Sequence, residues 1–192
     1  MKRLGLLVSF LCFFFVNGCA TVVSTVKPGE TIQEDRGTRS FGTMIDDSSI
    51  ETAVTVNLNA NPELKKAHIS VVSFNGTVLI VGQVPTQELK NEATRIATSA
   101  SSSRIKTVHN ELEVSGATTF LSRSNDAWLS TKLKTLMLAD PTVAGLRTKV
   151  VTENGVVYLM GLVTQAEANQ TVDLVSNSSG VTKVVRAFEY ID

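Results

Sequence analysis

The sequence holds few residues that could carry out catalysis or bind a metal ion. Its two histidines are His68 and His109, and neither has a cysteine, aspartate or glutamate at the spacing of a metal site. The carboxylate pair Asp46-Asp47 could serve in acid–base chemistry, but it precedes an apolar helical period, where aspartates commonly cap a helix. There is no glycine-rich phosphate loop and no nucleophile elbow. The sequence therefore predicts no enzyme, no catalytic residue, no metal site and no cofactor.

Cysteine chemistry is confined to the first residues of the chain. Lys2-Arg3 precedes an apolar run, Leu4 to Val16, that is too short to span a bilayer, and this arrangement is typical of a secretion signal. The residues that follow, Val16-Asn17-Gly18-Cys19, resemble the lipobox of bacterial lipoproteins. That resemblance implies cleavage before Cys19 and its acylation by fatty acids such as palmitate. The alternative is an ordinary secreted protein with one leftover cysteine.

Cysteine usage favours the anchored form over the secreted one. Cys12 leaves with the signal, so Cys19 has no partner with which to form an intramolecular disulfide. More than one acyl chain gives stable anchoring, because each buried CH₂ contributes roughly 0.8 kcal/mol. Ala20 follows the cysteine at a position where an aspartate would resemble an inner-membrane retention signal. We therefore expect a lipid-anchored protein on the periplasmic face of the outer membrane.

The strongest structural signal in the chain occurs twice. Asn75-Gly76 and Asn154-Gly155 each stand between two apolar runs, and Asn-Gly favours the tight type I′ turn of a β-hairpin. The copies lie 79 residues apart, and this offset matches Ile50 to Leu129 and aligns the rest without a gap. Such a pattern indicates a tandem duplication of one domain. The sequence predicts a signal (1–18), a lipidated cysteine with a flexible tether (19–45), a first domain (46–114), a linker (115–123) and a second domain (124–192).

Each copy is predicted to fold in the order helix, strand, strand, helix, strand. Asp46-Asp47 and Ser124-Asn125-Asp126 offer the side-chain oxygens that would begin the first helices, and Thr164 to Glu167 has the pattern of a capping box. Two helices can cover one face of a three-stranded mixed sheet, so the fold class is α+β with two tandem αββαβ domains. The order of the strands stays open. Apolar residues at four-residue spacing are expected to face inward from the first helices: Ile50, Val54, Leu58, Leu129, Leu133 and Met137.

The first helices of the two copies differ outside these shared apolar positions. At 100° per residue, Trp128 and Lys132 lie off the core stripe, where the first copy has Ser49 and Ala53. Tryptophan prefers the headgroup level of a bilayer, and lysine is attracted to an anionic surface. Packing of Trp128 within the molecule and contact with a protein partner are the alternatives. The predicted surface for an anionic, phosphatidylglycerol-like phospholipid consists of Trp128, Lys132, Lys134, Thr135, Leu136 and Ala139.

The pattern of turns and glycines in the two copies resembles the BON domain. Its hallmark turn glycines correspond to Gly76, Gly82, Gly155, Gly161 and Gly180. The first copy departs from the family pattern at Ser101-Ser102, where the second copy has Gly180-Val181. Two BON domains behind a lipobox resemble outer-membrane lipoproteins of that family. The resemblance implies a non-enzymatic, phospholipid-binding protein that supports outer-membrane integrity, with the division site as a candidate location.

The charge balance restricts the partners that the protein can attract at long range. Once the signal is removed, 16 basic and 18 acidic side chains remain, so no global electrostatic force draws the chain to nucleic acid. Nucleic acid is therefore not an expected partner, and an anionic lipid must be bound by a local patch. The alternative function is a protein adaptor that docks on outer-membrane assembly machinery or another envelope protein. It would use an exposed sheet edge or the first domain.

Overall fold

Each of the two repeats folds in the predicted order of helix, strand, strand, helix, strand. The computed structural model describes residues 36–101, 103–116 and 120–192; the predicted signal, Cys19 and residues 19–35 of the predicted tether lie outside the described residues. The first domain comprises α1 (Phe41–Ala60), a 3₁₀ turn (Leu64–Lys66), β1 (His68–Phe74), β2 (Thr77–Val84), α2 (Gln87–Ala100) and β3 (Thr107–Val114). The second comprises α3 (Phe120–Ala139), β4 (Thr148–Glu153), β5 (Val156–Val163), α4 (Gln165–Ser176) and β6 (Lys183–Tyr190).

Each domain has one three-stranded mixed sheet, with the second strand of its hairpin at the centre. β1 pairs antiparallel with β2, which pairs parallel with β3, and β4, β5 and β6 repeat this arrangement. The φ angles are 52° and 78° at Asn75 and Gly76, and 52° and 75° at Asn154 and Gly155. Positive φ at both central residues is the mark of a type I′ turn. The two hairpins predicted from Asn-Gly are thus confirmed.

The central strands are buried on both faces, and this determines how the two domains join. Val78 of β2 packs beneath the helices of its own domain, whereas Leu79 and Val81 point to the opposite face of the sheet. There they meet Tyr158 and Met160 of β5, in one continuous apolar cluster. The open faces of the two sheets therefore pack against each other. The helices form the outer layers, and those of the two domains lie on opposite sides of the unit.

Polar contacts cross the boundary between the two domains beside this apolar cluster. The ammonium of Lys149 lies 2.9 Å from a carboxylate oxygen of Glu51, and Nε2 of Gln83 donates to Oε1 of Glu153 at 2.7 Å. Each contact joins a residue of one domain to a residue of the other. Because apolar packing is non-directional, it does not by itself determine how one sheet is placed along the other. The polar contacts fix that placement.

The first helix of each domain begins earlier than the sequence predicted. α1 begins at Phe41, and the hydroxyl of its N-cap, Ser40, accepts a hydrogen bond from the backbone N–H of Thr43 at 3.1 Å. α3 begins at Phe120, which corresponds to Phe41 by the 79-residue offset. The prediction that Asp46-Asp47 and Ser124 to Asp126 begin these helices was therefore wrong. The last residues of the predicted tether and of the predicted linker are helical instead.

The buried aspartates of α1 and α3 serve the hairpin turns rather than the helix ends. The carboxylate of Asp47 accepts the backbone N–H groups of Asn75 and Gly76 at 2.8 and 2.9 Å, and the hydroxyl of Ser73 at 2.7 Å. Asp126 accepts the two matching backbone groups of its own hairpin at 2.8 and 2.9 Å. Each carboxylate thus satisfies two backbone donors and ties the first helix to the hairpin; of the four donors, the N–H of Gly76 is the buried one.

Two of the glycines predicted as turn residues lie inside strands. Gly82 is in β2 and Gly161 is in β5, because each strand continues beyond the point where it was expected to end. Gly82 has φ +127°, and a Cβ there would lie 2.0 Å from the carbonyl oxygen of His68. Only glycine allows the neighbouring strand to approach so closely. The other three glycines, Gly76, Gly155 and Gly180, lie outside the helices and strands, at turns.

Candidate functional site

α3 has one face in the core of the second domain and the other at the surface. Leu129, Leu133 and Met137 are buried, as predicted, and pack with residues of β5 and α4. Trp128 precedes the first of these by one residue, so the rotation of the helix turns it away from the core. Its side chain is 62% exposed. The indole therefore lies at the surface rather than inside the molecule.

Lys132 lies one helical turn after Trp128 and holds its ammonium above the indole. Nζ is 5.3 Å from the centre of the ring, within the range of a cation–π contact. The same Nζ donates to the carbonyl oxygen of Ser179 at 3.0 Å and to its hydroxyl at 2.8 Å. Because the turn before β6 anchors the amine in this way, the cation and the indole form one ordered patch. An ammonium has three N–H donors, so one donor is left for a ligand.

Lys134 does not share this outward orientation. Its ammonium donates to the carbonyl oxygens of Gly145 at 2.5 Å and Thr148 at 2.7 Å, in the loop that follows α3. Burial lowers the pKa of this lysine, because the charged form loses hydration there. The side chain thus ties the helix to the loop rather than standing beside Trp128, as the sequence had suggested. It keeps a positive charge close beneath the surface.

The rest of the predicted surface is apolar or small, and the structure adds two leucines to it. Thr135 and Ala139 are exposed on α3, and Leu136 is 39% exposed. Leu138 is 52% exposed and Leu146, in the following loop, is 89% exposed. Sequence reasoning missed both. The exposure of Leu138 could have been predicted, because the first copy has the polar residue Asn59 at the matching position. The exposure of Leu146 depends on the path of the loop, which the sequence does not specify.

A hollow lies beside Trp128 at the beginning of α3. Its volume is about 270 Å³, and its walls come from the helix and from the two turns that approach it. It is lined by Ser122, Asn125, Asp126, Trp128, Leu129, Gly155 and Gly180. The carboxylate of Asp126 is already bound to the hairpin turn. The hydroxyl of Ser122 donates to Oδ1 of Asn154, so the hollow presents the amide of Asn125 and the indole at an edge of the patch.

The charges on α3 favour an anion. From Ala127 to Ala139 the helix has two lysines and no acidic residue. The matching stretch of α1 has no lysine or arginine and includes Glu51, which binds Lys149 across the domain boundary. The two first helices therefore differ in charge, as the sequence comparison indicated.

α1 carries an exposed apolar stripe of its own that the sequence reasoning did not identify. Phe41, Met44 and Ile45 near the beginning of the helix and Val56 about three turns later are all exposed, with the exposed polar residues Ser48 and Thr52 between them. We call the four apolar residues the α1 stripe. It contains no basic residue, so it lacks the combination of indole and ammonium found on α3. Because the sheets pack face to face, it lies on the opposite side of the unit from α3.

The two histidines are half-buried on strands. Nε2 of His68 is 3.7 Å from a carboxylate oxygen of Glu153 across the domain boundary, and His109 lies on β3. Among the residues that the structure describes, no three His, Cys, Asp or Glu side chains come together as they would to hold a metal ion. In the same part of the chain, no helix has the length and hydrophobicity needed to cross a bilayer.

The chain resembles known proteins along its whole length. The BON domain family matches residues 46–116 and again residues 125–192. The chain is 37% identical to "Outer membrane lipoprotein DolP" of Haemophilus influenzae over 195 residues, which covers 100% of this chain and 97% of the relative. It is 35% identical to "21 kDa hemolysin" of Actinobacillus pleuropneumoniae, over 80% of this chain and 78% of the relative. It is 28% identical to "Osmotically-inducible protein Y" of Escherichia coli, over 78% of this chain and 75% of that protein.

These matches agree with the fold described above. Each match to the BON domain covers one αββαβ unit, and the relative that matches over the full chain is named as a lipoprotein of the outer membrane. The full-length similarity to a lipoprotein of the outer membrane extends over the N-terminal region as well as both domains. The chain belongs to the BON-domain family and, within it, to the outer-membrane lipoproteins with two BON domains.

Proposed function

We propose that the protein binds anionic phospholipid through α3 of its second domain and thereby supports the integrity of the outer membrane. The observation that carries the proposal is the ordered pair of Trp128 and Lys132. The indole is 62% exposed, and the ammonium lies 5.3 Å from its ring centre. A phosphatidylglycerol-like headgroup supplies the negative charge that this pair lacks.

The energetics of such a site suit a protein that is already anchored. An indole is favoured at the headgroup level, where its ring is buried and its N–H stays hydrated. A lysine near an anionic surface contributes about 1 kcal/mol. These terms give weak binding alone, but acyl chains on Cys19 would keep the domain close to the bilayer and raise its effective concentration there.

The remaining residues of the predicted site have distinct parts in this proposal. Thr135 and Ala139 are small and exposed, so they let the helix approach the headgroups closely. Leu136 adds apolar area at the edge of the patch. Lys134, bound to two loop carbonyls, contributes its field rather than a direct contact. The ammonium of Lys132 is the group that binds the phosphate of the headgroup in this proposal.

Flotation with vesicles tests the proposal. The fragment Ala20–Asp192, which lacks the signal and the acylated cysteine, is mixed with phosphatidylcholine vesicles that do or do not contain phosphatidylglycerol. We expect flotation only with the anionic lipid, and its weakening as salt is raised, because surface charges are screened. Trp128→Glu should abolish it. The matched control is Asn59→Glu, which places the same acidic group on an exposed position of the first helix of the other domain.

The two variants separate a site on α3 from a general effect of charge. Asn59→Glu should bind as the parent does, because α1 lies on the other side of the unit. Equal binding by Trp128→Glu and the parent would reject the proposed site. In cells, Trp128→Glu should fail to restore resistance to detergent in a strain that lacks the protein. Microscopy of a fluorescent fusion would test whether the protein acts at the division site.

The second candidate function is a protein adaptor, and the α1 stripe is the observation that favours it. An outward apolar surface on a helix is suited to a groove or helix of another protein. The proposed partner is a component of the outer-membrane assembly machinery or another envelope protein. The inner faces of both sheets are unavailable for this, because they pack against each other.

Protein-containing membranes distinguish the two functions. If the adaptor function holds, the fragment Ala20–Asp192 should bind outer-membrane vesicles better than protein-free vesicles of the same lipids. Val56→Glu should remove that difference, since Val56 is 61% exposed in the α1 stripe. The same variant should leave binding to protein-free anionic vesicles unchanged. Equal binding to both kinds of membrane would contradict the adaptor function.

A further inference from the structure

The loop between α3 and β4 presents the most exposed large apolar side chain of the described residues. Leu146 is 89% exposed, and Leu138, at the end of α3, is 52% exposed. Both line a shallow hollow of about 250 Å³ together with Met137, Pro141 and Val143. A single exposed leucine is ordinary on a protein surface. A pair of leucines beside the exposed face of α3 extends an apolar surface that is already there.

The loop is held in place, so Leu146 is presented by an ordered structure. The ammonium of Lys134 binds the carbonyl oxygens of Gly145 and Thr148, on either side of the leucine. Gly145 lies against the backbone of Met137, where a Cβ would be 2.4 Å from the carbonyl oxygen. Asp140 accepts hydrogen bonds within the loop at 2.9 and 2.6 Å. A loop fixed in this way loses little conformational freedom when its tip enters another phase.

The matching positions of the first domain have a different composition from this loop. By the 79-residue offset, Ala144-Gly145-Leu146 corresponds to Lys65-Lys66-Ala67. The two lysines of the first domain are exposed, and an ammonium group, unlike a leucine, is costly to move below the headgroups into an apolar phase. In the second domain the same three positions carry no charge. The loop has thus exchanged two ammonium groups for an exposed leucine, on the same domain in which α3 carries its indole and lysine.

One of the first described residues of the chain packs beside this loop. Gly37 is buried against the side chain of Arg147, the residue that follows Leu146. Cys19 precedes Gly37 by 18 residues, a span of at most about 65 Å if fully extended. Acyl chains on Cys19 would therefore keep a bilayer within reach of this loop.

We infer that the loop Asp140–Arg147 is a second lipid-contacting element, whose Leu146 enters the boundary between headgroups and acyl chains. This inference rests on the proposed function, because it assigns the same bilayer to the loop and to α3. Trp128 and Leu138 are ten residues apart on the helix, or about 15 Å along its axis. The helix thus lies along the membrane surface, with the loop inserted at its C-terminal end. Loss of the Leu146 contact should weaken lipid binding about tenfold.

Tryptophan fluorescence of the full-length lipoprotein tests the inference. Trp128 is the single tryptophan of the chain, so Leu146→Trp in a Trp128→Phe background moves the reporter to the loop. Both proteins are reconstituted in phosphatidylcholine–phosphatidylglycerol vesicles with brominated acyl chains. We expect bromine to quench both indoles, and acrylamide in the water to reach neither. Asn59→Trp in the same background is the control, and its indole should stay open to acrylamide.

The outcomes separate the loop from the helix. If the indole at position 146 stays open to acrylamide while native Trp128 is quenched by bromine, the loop inference is wrong and the proposed function stands. If the indole at position 146 is quenched but Trp128 is not, the loop contact stands and the helix surface is wrong. Quenching at neither position would refute both. Leu146 is almost fully exposed, so its replacement takes no packing from the fold.

Discussion

Removal of the carboxylate of Asp47 should destabilise the protein more than removal of its counterpart, Asp126. Both aspartates accept two backbone N–H groups of a hairpin turn, and both are buried. Asp47 has two further partners: the hydroxyl of Ser73 at 2.7 Å and the guanidinium of Arg39 at 2.7 Å. The difference between the costs of the two alanine variants therefore measures these extra partners together with the deeper burial of the N–H of Gly76.

The magnitude follows from the groups that lose their acceptor. An unsatisfied buried donor costs about 1–3 kcal/mol, and the two donors of Asp126 are only partly buried, so Asp126→Ala should cost about 1–3 kcal/mol in total. In Asp47→Ala, the hydroxyl of Ser73 and the guanidinium of Arg39 also lose their partner. Since a hydrogen bond contributes about 0.5–1.5 kcal/mol net, the loss of these two contacts should make this variant cost about 1–3 kcal/mol more.

The effect of Asp47 should also depend on pH. Burial raises the pKa of its carboxyl group, but hydrogen bonds from Gly76, Ser73, Asn75 and Arg39 outweigh burial and hold the pKa below its ordinary value. A depressed pKa in the folded state means that the ionised group stabilises the fold above about pH 4 and ceases to do so as the pH falls through the folded-state pKa. The loss caused by Asp47→Ala should therefore shrink in strong acid.

Urea unfolding of the fragment Ala20–Asp192 measures these differences. The free energy of unfolding is obtained for the parent and both variants at neutral pH and again below about pH 4. Equal costs for Asp47→Ala and Asp126→Ala at neutral pH would show that the contacts of Ser73 and Arg39 do not contribute. A cost for Asp47→Ala that grows in acid would contradict the assignment of the ionised form as the stabilising one.

Three further predictions concern the sheets and their interface. Gly82→Ala should destabilise the fold by about 2 kcal/mol or more, because it adds a Cβ 2.0 Å from a carbonyl oxygen at a residue with positive φ. Gly116→Ala is the control in the same urea assay and should be neutral, because a Cβ at Gly116 would have no neighbouring atom within 4 Å. Met160→Ala should cost about 2–5 kcal/mol at the domain boundary, whereas the exposed Val56→Ala should change stability by about 0.5 kcal/mol or less. Burial and the charges of nearby glutamates raise the pKa of Tyr158 to about 12, so spectrophotometric titration should show a tyrosine ionising there that Tyr158→Phe removes.

Local patterns in the sequence were sufficient to predict the order of elements. Asn75-Gly76 requires positive φ at both residues, and the structure has the type I′ turn that this implies. The capping box at Thr164 and Glu167 is present. The start of α1 was misplaced because Asp47 looks like a helix cap by local rules, whereas its real partners are backbone groups of the hairpin, 28 and 29 residues away. No local rule reveals that contact.

The candidate surface was predictable only in part. Trp128 could be placed outside the core because its position relative to Leu129 is set by helix geometry alone. The direction of the Lys134 side chain was not predictable, since its ammonium binds carbonyl groups of a loop whose path the sequence does not specify. The same loop determines the exposure of Leu146. The direction of the Lys134 side chain and the exposure of Leu146 therefore depend on tertiary contacts, which the periodicity of the sequence does not reveal.

The packing of the two sheets relates the two proposed surfaces to each other. Leu79 and Met160 are buried where the sheets meet, so the helices of the two domains face away from each other. The α1 stripe and the surface of α3 therefore lie on helices that pack against different sheets. The two surfaces do not compete for one occupant, which is why Trp128→Glu and Val56→Glu should each affect only one kind of binding. A fold that buried either helix layer between the domains would not allow that separation.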